Sequence, residues 1–157
     1  VTKFLLAVHV LAAIVAIGPV TVAASMFPPT ARKALARPRE NRDTLALLHR
    51  ICRVYAVVGV VVPAFGFATA RDMGVLGDAW LIVSIVLTAL AAAVLAALVL
   101  PRQGAILEVV EGGEGLERGG VDERATVRLA MVTGIFNLLW AAVTVLMIVR
   151  PGSTTGA

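Results

Sequence analysis

Charge is scarce in this sequence, and its distribution is uneven. Only 15% of the 157 residues are charged, and every Asp and Glu falls outside four long apolar runs. That argues against proton-coupled transport, which generally works through a carboxylate buried in the membrane. Cysteine is scarcer still. Cys52 stands alone, so no internal disulfide can form, and the residue reads as small apolar packing near the membrane interface, with lipidation the lesser alternative. A Gly-rich phosphate loop, a nucleophile elbow and a Cys/His metal cluster are all missing, so no enzyme class is marked by motif.

What the chain has in excess is apolar surface. Hydrophobic residues make up 59% of it, and the mean hydropathy of +0.93 lies beyond the range of soluble globular proteins. The charges gather in connecting segments. They leave the runs Phe4–Phe27, Val54–Ala70, Ala79–Leu100 and Leu129–Val149, each near the ~20 residues a helix needs to cross a bilayer. These runs are apolar all round rather than alternating, which disfavours a transmembrane barrel. The first exceeds the ~7 to 15 residues of a signal-peptide core and is expected to remain as a span. The expected fold is therefore all-α: a polytopic membrane protein in one domain, residues 1–157, built as an antiparallel bundle of four transmembrane helices. The bias of its basic residues to Arg, with abundant Ala, Val and Gly, associates it with GC-rich bacterial genomes.

Orientation follows from the basic residues. Arg32, Lys33, Arg37, Arg39, Arg42, Arg50 and Arg53 lie in or beside the connection 28–53, and Arg102, Arg118, Arg124 and Arg128 in the connection 101–128, against Lys3, Arg71 and Arg150 on the opposite side. Eleven against three, by the positive-inside rule, puts both connections in the cytoplasm and both termini outside the bacterial cell membrane. The net charge of +4 is thus explained by topology, and no nucleic-acid partner is expected. The first connection opens with Pro28-Pro29, read as a helix stop, and contains a short interfacial helix broken at Pro38. Its basic face is solvated and within reach of anionic lipid headgroups. The second, with six glycines and the acids Glu108, Glu111, Glu114, Glu117, Asp122 and Glu123, reads as flexible and solvated. Attraction between the two is expected to be weak and salt-screened.

Small residues mark the expected packing faces. His9, Ala12, Ala13, Ala16, Val20 and Ala23 share a stripe in the first run, and Ala56, Gly59, Pro63, Gly66 and Ala70 one in the second. Ser84, Thr88, Ala92 and Ala96 mark the third, and Ala130, Thr133, Asn137, Ala141 and Thr144 the fourth. Such faces also suit self-association into a homo-oligomer. Pro19 and Pro63 free the carbonyls of Val15 and Gly59, predicting a kink and a second break. By depth, His9 is expected to bond Ser84 or Thr144, and Asn137 to bond a carbonyl that a proline has freed.

His9 is the one ionisable residue well inside a run, which makes it a candidate by default. Packing or hydrogen bonding is the first reading, a haem or metal ligand the second, and proton handling the third. His49 sits at the opposite membrane surface, more than about 20 Å away by helix rise, so one haem iron on one protomer cannot take both. Copper(I) would suit His9 with the thioethers of Met73 and Met147. No cofactor is the leading expectation. The glutamates from Glu108 to Glu117, with glycines between them, read as a solvated face rather than a cation site.

Lys3, Phe4-Leu5-Leu6, His9-Val10-Leu11-Ala12-Ala13 and Gly18, with Pro63 to Thr69 more loosely, resemble small bacterial four-helix proteins of unknown function described as predicted integral membrane proteins. Those proteins are distantly similar to the copper-resistance protein D and membrane protoporphyrinogen oxidase families, whose first helix also carries a histidine. The resemblance implies a membrane component of unknown specific function. It also implies that His9 matches the haem- or metal-associated histidine of the larger relatives.

Overall fold

The computed structural model describes residues 2–112 and 119–152, with the side chains of 119–122 excepted. Helices α1 (Thr2–Ala36), α2 (Pro38–Val58), α3 (Val61–Met73) and α4 (Ala79–Val94) are followed by a π-helical turn (Leu95–Val99), α5 (Leu100–Glu111) and α6 (Gly119–Val149). They join into four long helices, each long and apolar enough to cross a membrane. The surface agrees. Val57, Leu138 and Ile148 are 74%, 73% and 75% exposed, an apolar exterior that suits lipid and not water. One end of the bundle carries Thr2, Gly74 and Arg150 and is called the terminal end; the other holds Arg37 and α5 and is called the basic end.

The helices outrun the apolar runs at the basic end. Instead of stopping at Pro28-Pro29, α1 continues through Pro19, Pro28 and Pro29 to Ala36. A proline removes one amide bond, and the remaining bonds around it can still carry a helix past that point. The true break comes at Arg37, whose backbone (φ −139°, ψ 76°) lies outside the helical region, a departure that a following proline, here Pro38, favours. The chain doubles back there, and α2 packs along α1. The first connection is thus a helical hairpin.

Pro63 and Pro101 are absorbed in two different ways. Because Pro63 has no amide to give the Gly59 carbonyl, Val62 donates to it instead at 3.2 Å, a tighter three-residue turn that separates α2 from α3. Pro101 likewise cannot serve the Ala97 carbonyl. There the helix widens, and Leu100 donates to the Leu95 carbonyl across five residues, the register of a π-bulge. The segment after Leu100, expected to be flexible, is helical to Glu111 and buries Gln103, Ile106 and Val110. The remaining glutamates of that segment, Glu114 and Glu117, lie outside the described residues, as does the tail 153–157.

The larger core lies toward the basic end. It joins Phe27, Ala31 and Ala34 of α1 with Leu45, Leu48 and Cys52 of α2, Val99, Ile106 and Val110 from the third long helix, and Leu129 and Phe136 of α6. Cys52 is fully buried there. A smaller cluster of Ala70, Val75, Trp80 and Leu81, with Met73 and Met147 against it, closes the terminal end. Gly74 makes the turn into that cluster with φ 71°; Val75 donates to the Ala70 carbonyl at 3.1 Å, completing a Schellman cap. Trp80 faces the interior of this end. It is 7% exposed, donates to Asp78 at 2.9 Å and lies beneath the Arg150 guanidinium, 5.7 Å from the ring centre.

Packing faces follow helical geometry more strictly than the small-residue stripes do. On α1 the buried set His9, Ala16, Val20 and Ala23 matches the expected stripe. In the third helix the buried set is Leu81, Ser84, Ala91, Leu95 and Val99, while Ala92 and Ala96 are exposed. A run of four-residue steps rotates about 40° per step around a helix of 3.6 residues per turn, so it drifts off the face. On α6, Ala130, Ala141 and Thr144 are exposed, and the helix packs through Thr126, Leu129, Thr133, Phe136 and Val143.

If the hairpin is core and not a solvated connection, Ala34→Leu should cost about 1–3 kcal/mol by overpacking, whereas Arg32→Gln, on the exposed side, should stay within about 0.5 kcal/mol. Thermal unfolding of the two variants in mild detergent measures the difference.

Candidate functional site

His9 occupies a prepared position in the wall between α1 and α3. The α1 stripe places its ring inward, at 9% exposure, and Nδ1 lies 3.0 Å from the Val62 carbonyl oxygen. A carbonyl only accepts, so Nδ1 carries the proton and donates. The ring rests on Gly66, where a Cβ would come within 2.8 Å of His9 Cε1. Glycine is required there by the close approach. Ser84 and Thr144, the expected partners, donate instead to the carbonyls of Trp80 and Trp140 one turn back on their own helices, at 2.8 and 3.0 Å. A hydroxyl four residues past a carbonyl needs no reorganisation to make that bond, which is why it wins.

Asn137 also departs from expectation, meeting a hydroxyl and not a carbonyl that a proline has freed. Its amide donates to the Ser25 hydroxyl at 3.0 Å, not to the Val15 carbonyl region but about 15 Å further along α1 by helix rise. Ser25 precedes Pro29 by four residues, so its own carbonyl is one that a proline deprives of a helical amide. Asn137 Oδ1, Thr133 Oγ1 and Thr21 Oγ1 are buried without a partner among the described residues.

A second polar group lies at the basic end, and residue spacing gave no signal for it. Gln103, fully buried on α5, receives a hydrogen bond from His49 Nδ1 at Oε1, 3.1 Å away, while its Nε2 approaches Cys52 Sγ at 3.5 Å. Phe27 meets the His49 ring edge-on at 6.5 Å between centroids. This group ties α5 to α2, and so contributes to the continuation of the third helix beyond the apolar run Ala79–Leu100. The signal was present in one respect: Gln103 is a lone amide two residues after a proline, in a segment whose glycines drew attention to its acids.

The two histidines remain apart, His9 against Val62 and His49 against Gln103. Thirteen residues separate positions 49 and 62, roughly 20 Å along a helix. Met73 and Met147 do share the cluster at the terminal end, but His9 meets α3 at Gly66, two turns or about 10 Å before Met73. Among the described residues no group of three His, Cys, Asp or Glu side chains is placed to hold a metal. Arg32, Lys33, Arg37, Arg39, Arg42, Arg50 and Arg53 are all exposed. Arg37 pairs with Glu40 and Arg42 with Asp43, each at 3.6 Å and exposed, so these pairs add little.

The Gly66 notch makes a sharp prediction. Gly66→Ala should push the His9 ring aside and destabilise by about 1–3 kcal/mol, and His9→Ala should relieve that clash, so the double variant loses less than the sum of the singles. A thermal-unfolding double-mutant cycle reads the coupling, expected at roughly 0.5 kcal/mol or more.

No curated protein and no solved structure matches the chain. A family model does, over residues 3–151. That span takes in all four long helices, the His9 notch and the His49–Gln103 pair, and the chain therefore belongs to the family described as "Predicted integral membrane protein (DUF2269)".

Proposed function

We propose that this integral membrane protein is a non-enzymatic component of the bacterial cytoplasmic membrane, held with its basic end in the cytoplasm and both termini outside. The observation that carries the reading is the use of His9, the ionisable residue inside a span: it is committed through Nδ1 to Val62 and seated on Gly66. It joins two helices. The membrane-embedded hydroxyls of Ser84, Thr69 and Thr144 support the same reading, since each is turned onto its own helix backbone. Orientation rests on the eleven basic residues of the two connections against three opposite. Exposed Ala92, Ala96 and Ala141 supply small-residue surface for a homo-oligomer.

A second reading, a haem b or copper protein working through His9, is favoured by one observation. Donation from Nδ1 to a backbone carbonyl leaves the Nε2 lone pair as the free one, the arrangement that orients a metal-binding histidine.

The two readings separate on purification in mild detergent. The non-enzymatic reading expects a colourless, metal-free protein for both wild type and His9→Ala; a Soret band or bound copper that the substitution abolishes would replace it with the second. Orientation is checked in a Cys52→Ala background. A membrane-impermeant maleimide applied to intact cells should label Arg150→Cys and not Arg37→Cys, and the opposite pattern would invert the topology.

A further inference from the structure

We propose that the outward face of α2 at the basic end is a binding site for an anionic glycerophospholipid, with Arg50 and Arg53 on its phosphate and Val54 and Val57 along its acyl chain. An open groove of ≈ 510 Å³ is lined there by Ala46, His49, Arg50, Arg53, Val54 and Val57. These positions recur at three- and four-residue steps, so they form one continuous strip along the helix. The strip changes character at a fixed depth. Arg53 is the last charged residue before the uncharged run Val54–Ala70, which puts the two guanidinium groups where water meets hydrocarbon.

Neither Arg50 nor Arg53 has an acidic partner among the described residues, because the ion pairs of this helical hairpin are Arg37 with Glu40 and Arg42 with Asp43, nearer the turn. Two unpaired guanidinium groups at this boundary present planar, multidentate donors suited to a phosphodiester. Val54 and Val57 are 50% and 74% exposed, and lie on the bilayer side of the arginines. The strip thus runs from cationic to apolar along α2, in the order in which a phospholipid presents phosphate and chain. His49, on the same strip, is held to Gln103 by a 3.1 Å bond, and Gln103 is itself fully buried.

The site differs from general attraction between a basic surface and a charged membrane, and the difference can be measured. The purified full chain in mild detergent is titrated with phosphatidylglycerol, and bound lipid is counted by native mass spectrometry. At about 1 kcal/mol for each basic residue near a membrane surface, Arg50→Gln with Arg53→Gln should weaken binding roughly 30-fold, or about 2 kcal/mol. Arg37→Gln with Arg39→Gln removes equal charge from the same hairpin, outside the groove, and should change affinity by less than about threefold. Equal losses in the two pairs would overturn the proposal in favour of diffuse electrostatics. So would equal affinity for phosphatidylcholine, or displacement of the lipid by inorganic phosphate or glycerol phosphate, neither of which uses the apolar end of the strip. Thermal unfolding in the same mild detergent checks that each variant is folded; if the Arg50/Arg53 pair is not, Arg53→Gln alone should show a roughly fivefold loss.

Discussion

A backbone inside hydrocarbon has no water to satisfy its amides and carbonyls, and the rest of this structure depends on how that requirement is met. The chain carries proline at 19, 28, 29, 63 and 101, each of which withdraws one donor. In water a helix would often end at such a point, with solvent taking the orphaned carbonyl. Here the helices continue. α1 passes three prolines without interruption, the second long helix tightens by one residue at Gly59, and the third widens to a π-turn before Pro101. At Arg37, by contrast, the backbone leaves the helical region (φ −139°, ψ 76°) before Pro38, and the chain doubles back.

Continuous helices relocate the core. Segments read as polar connections become the ends of packed helices, and Ala31, Ala34, Leu45, Leu48, Ile106 and Val110 join the interior. That interior lies toward the basic end, where the long apolar runs give way to charged sequence, which has an energetic sense. Between membrane helices, apolar contact gains little over contact with lipid tails, so association relies on close packing and polar links. Beyond the hydrocarbon, burial of Leu and Ile regains the hydrophobic contribution. The His49–Gln103–Cys52 group and the α1–α2 hairpin belong to that basic-end core.

Polar side chains within the bundle divide by length and reach. Hydroxyls of Ser84, Thr69, Thr88 and Thr144 fold back onto carbonyls four residues earlier, so they serve their own helices. His9 and Asn137 are long enough to cross to a neighbour, at Val62 and Ser25. His9 therefore acts as a bridge between α1 and α3, and Gly66 is the residue that makes room for it.

Four helices, their apolar exterior, the inward direction of His9 and the separation of the two histidines were determined by the sequence itself, because each depends on run length, helical periodicity and rise per residue. The exposure of the six arginines and one lysine from Arg32 to Arg53 was legible too, because a charge is costly to bury and stays at the surface. The partners of His9, Asn137 and Trp80 were decided only by the tertiary structure, since helix rotation and depth set them and a four-residue step drifts from the face it started on. Gln103 beneath His49, and the extension of α1 past Pro28-Pro29, were likewise decided by packing. A proline removes one bond, but whether the helix survives that loss depends on the neighbours that bury its other face.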